Sequence, residues 1–460
     1  MMLRLSEAAM ATQGVVVGAD VTFDAVSTDS RAIKAGDLFV ALRGERFDGH
    51  DFVADCLELG AVAAMVDERW QAGQGQPLLV VKDTRLALGS LATHWRGKFS
   101  LPLAAITGSN GKTTVKEMLA AILRANSKEA AVLATQGNLN NDIGLPLTLF
   151  KLRAEHRYAV IEMGMNHPGE ISYLTRLAKP TVALVNNALP AHLEGLGTVE
   201  AVAHAKGEIF EGLAEDGTAI INLDDPFAPL WKGLATPRKT LGFGLGQDAD
   251  VSADYQLQAD ASDIVLKTPQ GETALRLPVP GIHNVRNALA AAAAASAMGV
   301  PLSAIAAGLQ QYGGIKGRLQ RKAGIRGCTV IDDTYNANPA SVRAAIDVLA
   351  ACAGRRVLVL GDMGELGDTA AEMHREIGRY AKAAQLDQLL LLGDLSRETA
   401  AGFGPGAQHY DAPQALGNAL AQQVKADTTV LVKGSRFMRM ERVVALLLEE
   451  NNDQGDKHAA

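Results

Sequence analysis

The stretch LPLAAITGSNGKTTVKEMLAAILRAN (101–126) sets the strongest limit on how this chain can fold, because an apolar run of strand length feeds directly into a glycine loop and then a helix. Val115, Leu119, Ile122 and Leu123 recur there at helical spacing. The alternation returns in YAVIEM (158–163), TVALVNN (181–187) and GTAIINLDD (217–225), which alternate with helical segments. Strands that alternate with helices need crossover connections, and they predict a parallel sheet with both faces covered.

Upstream, GDLFVAL (36–42), AVAAMVD (61–67) and PLLVVKD (77–83) are apolar runs of strand length and mark a small α/β unit. A third alternation starts near GRLQRKAGIRGCTVIDD (317–333) and continues through RRVLVLGD (355–362), LDQLLLLGD (386–394) and TTVLVKG (428–434). Its helices are expected in SVRAAIDVLAAC and RMERVVALLLEE, and the polar tail NNDQGDKHAA is expected to fray. A chain of 460 residues suits two to four domains. We therefore expect an α/β protein of three domains: a small N-terminal α/β unit (1–99), a central P-loop-type parallel-sheet ATPase domain (100–314) and a C-terminal Rossmann-like domain (315–460).

Charge narrows the partners. With 44 basic and 51 acidic residues the formal charge is −7, which gives no support to nucleic-acid binding, although a small anion needs only a local basic pocket. Cys56, Cys328 and Cys352 are odd in number and far apart, so neither a disulfide framework nor a zinc cluster is indicated. No apolar run reaches about 18 residues. The longest candidate, ALAAAAAASAMGV (288–300), reads as a buried helix, and the start MMLRLSEAAMATQG carries Glu7 where a signal would be apolar. These features predict a cytoplasmic monomer without membrane insertion.

The loop TGSNGKTT (107–114) departs from the usual G-x-x-x-x-G-K-[ST] pattern: Gly108 and Gly111 are separated by two residues, and Ile106 stands where the first glycine belongs. Its setting still favours phosphate, since backbone N–H groups and the positive end of a helix together make an anion site. Gly108, Ser109, Asn110, Gly111, Lys112, Thr113 and Thr114 would form the cradle. Lys112 would neutralise β- and γ-phosphate charge, and the Thr113 hydroxyl would ligate Mg²⁺. Glu162 ends a strand where parallel-sheet enzymes gather ligands, so it is a candidate carboxylate near the metal. In NNALPAHLEGLGTVEAVAHAKGEIF (186–210), His192 could ligate a second cation or be structural, and Lys206 would ordinarily be a solvated lysine.

Taken together these residues resemble the Mur ligase family, ATP-dependent amide-forming enzymes of peptidoglycan synthesis. The shortened loop, Glu162, AHLEGLG with His192, AKGEIF with Lys206, GIHNVRNALAA (281–291), GRLQ with Arg318 and DDTYNANP (332–339) carry the resemblance across nearly the whole chain. It implies that ATP converts a carboxylate into an acyl phosphate, which an amine then attacks. It further implies two Mg²⁺ sites, with Thr113 and Glu162 on the first, His192 on the second and a carbamylated Lys206. Asn287 would lie near the adenine, Arg318 near the γ-phosphate and Asp333 near the ribose.

Within the family, TQGNLNNDIGLPLTL (135–149), LGDMGELG (360–367) and VKGSRFMRMERVV (432–444) resemble the member that adds a dipeptide. That likeness implies UDP-N-acetylmuramoyl-tripeptide and D-alanyl-D-alanine as substrates. STDSRAIKAGDLFVALRGERFDGHDF (27–52) is similar to the uridine-diphosphate unit of the later ligases, with Ser30 and Arg31 as its candidates. Asn138, Asn140 and Asn141 would contact substrate or cap turns. Lys433, Ser435 and Arg436 would receive an anion such as the dipeptide carboxylate, or form a surface charge cluster, while Tyr335 and Asn336 would line the cleft. Another ligase of the superfamily and a nucleotide-switched binding module remain as alternatives, and the third residue of the tripeptide stays open.

Overall fold

The computed structural model describes residues 1–70, 76–190, 193–246 and 248–448. Its centre is a six-stranded, all-parallel sheet in the order Lys239–Phe243, Thr218–Asn222, Val182–Val185, Leu103–Thr107, Tyr158–Glu162 and Val132–Ala134. Leu103–Thr107 is buried along its full length, as expected for a strand covered by helices on both faces.

The helix Lys112–Asn126 packs on one face, with Val115, Met118, Leu119, Ile122 and Leu123 in the core. Beside it lies Ile282–Ala297, whose run from Ala288 to Ala295 is fully buried. Small side chains let helices approach closely. At Gly308, in the helix Leu302–Gln310, an added Cβ would stand 2.3 Å from the Ile122 backbone, so only glycine fits that crossing.

Residues 252–277 depart from strict alternation of strand and helix. Ser252–Leu257, Ser262–Thr268 and Gly271–Leu277 form an antiparallel three-stranded sheet whose Ile264, Leu266, Leu275 and Leu277 face the same core. The alternating burial along Ser262–Thr268 is the period of two expected of a half-covered strand. The turn residues Pro269, Gln270 and Gly271 between two such runs are the hairpin signal in the sequence.

The N-terminal sheet runs Val15–Val17, Leu78–Val81, Ala63–Asp67, Asp37–Val40, Ala25–Ser27, parallel except for its first pair. The C-terminal sheet runs Gln320–Ala323, Thr329–Asp333, Thr428–Lys433, Arg355–Gly361, Gln388–Leu392, Ala407–Tyr410, parallel except at the Gln320–Ala323 edge. In an open parallel sheet, ligands collect at the carboxyl ends of the strands. Here the strand ends carrying Glu162, Asn186 and Asn222 share one cleft with those carrying Asp333 and Lys433.

Candidate active site

The cleft has a volume of about 1760 Å³, more than the several hundred Å³ a single small ligand occupies, so it has room for several substrates at once. Ser109 through Thr114 line it, together with Glu162, Lys206, Asn287, Arg318, Asp333, Tyr335, Asn336, Lys433, Ser435 and Arg436. Asn138, Asn140 and Asn141 also line it. Most of the residues singled out in the sequence therefore meet in one place.

The glycine loop is held by amide side chains from neighbouring strand ends. Asn110 N–H donates to Asn187 Oδ1 (2.8 Å), and its carbonyl accepts from Asn186 Nδ2 (2.8 Å) and Asn187 Nδ2 (3.1 Å). Asn186 Nδ2 also donates to Asn287 Oδ1 at 3.1 Å, linking the loop to the Ile282–Ala297 helix. Gly111 has φ +80°, and a Cβ there would lie 2.4 Å from Asn287 Oδ1 and 2.6 Å from Asn186 Nδ2. The position thus requires glycine for both backbone conformation and space. Asn186, Asn187 and Asn222, whose Nδ2 holds the Asn186 carbonyl at 2.8 Å, support the loop although no motif marks them. Their signal was an amide directly after each apolar strand.

Lys112 Nζ donates to the Gly108 carbonyl (2.7 Å), and burial pulls its pKa below the ordinary lysine value while Glu162 opposes that pull. Glu162 is 3% exposed; its Oε1 accepts from Asn140 Nδ2 (2.9 Å), and its Oε2 is buried without a hydrogen-bond partner among the described residues. An orphaned buried carboxylate oxygen is costly unless something binds it, and a cation is the natural complement. Lys206, 1% exposed, is held well below the ordinary lysine pKa by burial and by the nearby Lys112 charge. Burial strips water from an ammonium, which is what disfavours the charged form there. His192 lies outside the described residues.

From the segment that leads into the C-terminal sheet, Arg318 Nη2 donates to Thr113 Oγ1 (3.1 Å), and its guanidinium stacks 4.2 Å from the centre of the Tyr335 ring. Its Nε is buried and without a hydrogen-bond partner among the described residues. Asn338 and Asn110 exchange side-chain hydrogen bonds, which ties the loop to the start of the helix Pro339–Ala350. Lys433 Nζ contacts Asp333 Oδ2 (2.6 Å) and the Asn336 carbonyl (2.8 Å), so it is a buried ion-pair member and not part of a surface cluster. Ser435 is also buried, accepting from Gly364 N–H (2.8 Å), whereas Arg436 is exposed and pairs with Glu441.

Asn141 Oδ1 accepts from Gly144 N–H (2.8 Å), a turn-capping bond, and Asn138 is exposed. Ser30 and Arg31 do not line the cleft; Arg31 forms a two-point pair with Asp29 on the surface of the N-terminal unit, which lowers the Asp29 pKa to about 2.

Among the described residues no group of three or more His, Cys, Asp or Glu side chains is arranged to hold a metal ion. Mg²⁺ keeps much of its coordination for water and phosphate oxygens and takes few protein ligands. The orphaned Glu162 Oε2 and the Thr113 hydroxyl fit such a site.

The Mur ligase middle domain pattern matches residues 106–295, the Mur ligase glutamate ligase domain 317–436, and the Mur ligase family catalytic domain 22–96. The UDP-N-acetylmuramoyl-tripeptide–D-alanyl-D-alanine ligase of Escherichia coli is 45% identical over 449 residues, covering 97% of this chain and 98% of that one. The crystal structure of MurF from Acinetobacter baumannii superposes with a TM-score of 0.91 at 38% identity, covering 96% of this chain and 98% of that one. MurF from Thermotoga maritima, solved with ADP, gives 0.81 at 30% identity over 92% of this chain and 96% of that one. Three successive domain patterns and relatives matched over nearly their whole length lead to one conclusion: the chain belongs to the Mur ligase family.

Proposed function

We propose that this chain joins D-alanyl-D-alanine to UDP-N-acetylmuramoyl-tripeptide at the expense of ATP. The observation that carries the reading is the convergence of the glycine loop, Glu162 and Arg318 in one cleft of a chain 45% identical to a ligase named for those two substrates. Three units, 1–99, 100–314 and 315–460, divide the work: recognition of the UDP-sugar, of ATP, and completion of the site.

A carboxylate resists attack by an amine because its leaving group is poor. An oxygen of the tripeptide's free carboxylate attacks the γ-phosphorus, the bond to the β-phosphate oxygen breaks, and ADP departs. The amino group of D-alanyl-D-alanine then attacks the acyl carbon, phosphate leaves, and the nitrogen gives up a proton. Backbone N–H groups of residues 108–114 and the Lys112 ammonium hold the phosphates, and Arg318 faces the transferred group; such preorganised charge is the main service a protein offers phosphoryl transfer. Asn287 and Asp333 are assigned to the nucleoside.

Thr113 and Glu162 would hold a first Mg²⁺, and His192 with a carbamylated Lys206 a second. Mg²⁺, when bound, neutralises phosphate and carboxylate oxygens. The depressed pKa of Lys206 supports the carbamate, since only the neutral amine adds carbon dioxide and the product supplies an anionic oxygen ligand where an ammonium would repel a cation. Ser30 and Arg31 are assigned to the uridine nucleotide, Asn138, Asn140 and Asn141 to the muramoyl peptide, Lys433, Ser435 and Arg436 to the dipeptide end, and Tyr335 and Asn336 to the cleft wall. The buried positions of Cys56, Cys328 and Cys352 suit a reducing cytoplasm.

Release of ADP and phosphate by the purified protein tests the reading. Release should require both the UDP-muramoyl-tripeptide and the dipeptide. Equal release without the dipeptide would count against ligation.

A further inference from the structure

Arg85 and Asp142 meet across the boundary between the N-terminal unit and the central sheet, and both line the cleft. Arg85 Nε and Nη2 both donate to the Asp142 carboxylate, the latter at 2.9 Å. Each partner is set in place by its own backbone. Asp83 caps the helix Thr84–Arg96, accepting from Arg85 N–H (2.8 Å) and Leu86 N–H (3.0 Å), which fixes Arg85 in the first turn. Asn141 Oδ1 accepts from the N–H groups of Ile143 (3.3 Å) and Gly144 (2.8 Å), which fixes the turn carrying Asp142.

As a tether the pair is a poor investment, because both side chains remain partly exposed, at 56% and 30%, and exposed ion pairs contribute little to stability. Its position is more informative. Asp142 is two residues from Asn140, so their Cα atoms are at most about 7 Å apart, and Asn140 Nδ2 donates to Glu162 Oε1 at 2.9 Å. The reacting carboxylate must lie close to Glu162 and the glycine loop. In a tripeptide substrate that carboxylate belongs to the third residue, whose side chain begins one bond away and ends about 6 Å further on for a lysine-length chain.

Resting on the function proposed above, we propose that Arg85 and Asp142 read the far end of the tripeptide's third side chain, and that the pair selects one ending in an amino-acid zwitterion. Diaminopimelate has such an end; lysine ends in an ammonium alone. The pair can take the zwitterion without being broken. A guanidinium has five N–H groups, of which Asp142 occupies one on Nε and one on Nη2, and the others have no acceptor among the described residues. Those N–H groups are directed to the distal carboxylate, and the outer lone pairs of Asp142 accept from the distal ammonium. A lone lysine ammonium would reach Asp142 but set a second positive charge beside Arg85 with no second carboxylate to offset it.

The test compares kcat/KM for UDP-muramoyl-tripeptides ending in meso-diaminopimelate and in L-lysine, with saturating ATP and D-alanyl-D-alanine. The wild-type protein is expected to favour diaminopimelate by at least roughly tenfold. Arg85→Met should lower kcat/KM for diaminopimelate by roughly 10- to 100-fold and bring the two substrates to within about threefold of each other. Asp142→Asn should slow both, since both ends carry an ammonium. Equal kcat/KM for the two substrates in the wild-type protein would overturn the proposal, whatever the folding of the variants. So would an Arg85→Met protein that loses activity on both in equal proportion. Turnover of neither tripeptide would instead refute the ligase reading.

Discussion

Asn110 of the glycine loop and Asn338 at the head of a C-terminal helix exchange two side-chain hydrogen bonds, at 3.2 and 2.7 Å, across 228 residues of sequence. Each amide gives one N–H and takes one, so the pair joins two domains without placing a charge beside the phosphate cradle. Asn338 has a second duty. Its Oδ1 accepts from Ser341 N–H (2.9 Å) within a capping box.

These two duties separate by mutation. Asn338→Asp keeps the capping oxygen but loses the N–H given to Asn110 and brings an anion toward the phosphates. It should melt close to wild type while turnover falls by roughly tenfold or more. Asn338→Ala should lose about 1 kcal/mol of stability as well. Thermal melting beside steady-state phosphate release distinguishes the two effects, and wild-type turnover by Asn338→Asp would rule out a role for the amide pair.

Lys112→Ala and Glu162→Ala should each reduce turnover at least roughly a hundredfold, because each removes charge stabilisation from phosphoryl transfer. Folded variants with near-normal rates would dismiss the loop and carboxylate assignments together.

Gly111→Ala addresses the same loop through sterics alone. The new Cβ meets Asn287 Oδ1 at 2.4 Å in a left-handed backbone conformation. ATP binding measured by calorimetry should weaken strongly, and stability should drop by about 1 kcal/mol or more. Unchanged nucleotide affinity would mean that the cradle does not depend on this geometry.

Lys206→Ala should fold but be nearly inactive, and formate or acetate should restore part of the turnover by supplying the missing oxygen ligands. Lys206→Arg should fail without rescue, since it keeps a positive charge and cannot form a carbamate. A fully active arginine variant would exclude the modification.

His374 offers a pH prediction away from the chemistry. It is fully buried, its Nε2 accepts from Met363 N–H (3.0 Å), and Nδ1 donates to the Ala370 carbonyl (2.7 Å), a pattern only the neutral ring can make. Burial lowers its pKa below the ordinary 6.5, as it lowers His283 to about 4. A histidine depressed in the folded state binds fewer protons there than when unfolded. Stability is therefore complete above about pH 6.5 and is lost as pH falls toward the folded-state values. The melting temperature should drop between pH 7 and 5, and Gln at position 374 should flatten that drop; an equal slope in both proteins would acquit His374.

The local order along the chain was legible because short-range chemistry dictates it. An apolar run must bury, glycine permits the loop, and Lys112 to Asn126 repeats at helical spacing, so strand, cradle and helix stand where the residues put them. Lys112, Thr113 and Glu162 follow from the same reasoning, since each sits at a strand end or helix start that sequence alone can locate. The ligase family was legible too, through motifs spread over nearly the whole length. Tertiary structure decided everything that depends on two distant segments meeting. The Asn110–Asn338 exchange, the Arg318–Thr113 bond, the burial of Lys433 against Asp333 and the Arg85–Asp142 pair join residues 57 to 228 positions apart. No periodicity encodes such pairings, because they arise only when separate sheets, each folded by its own local pattern, close their carboxyl ends around a common cleft. Burial of Lys206 belongs to the same class: its helix reads as ordinary in sequence, and the neighbours that strip its water come from elsewhere in the chain.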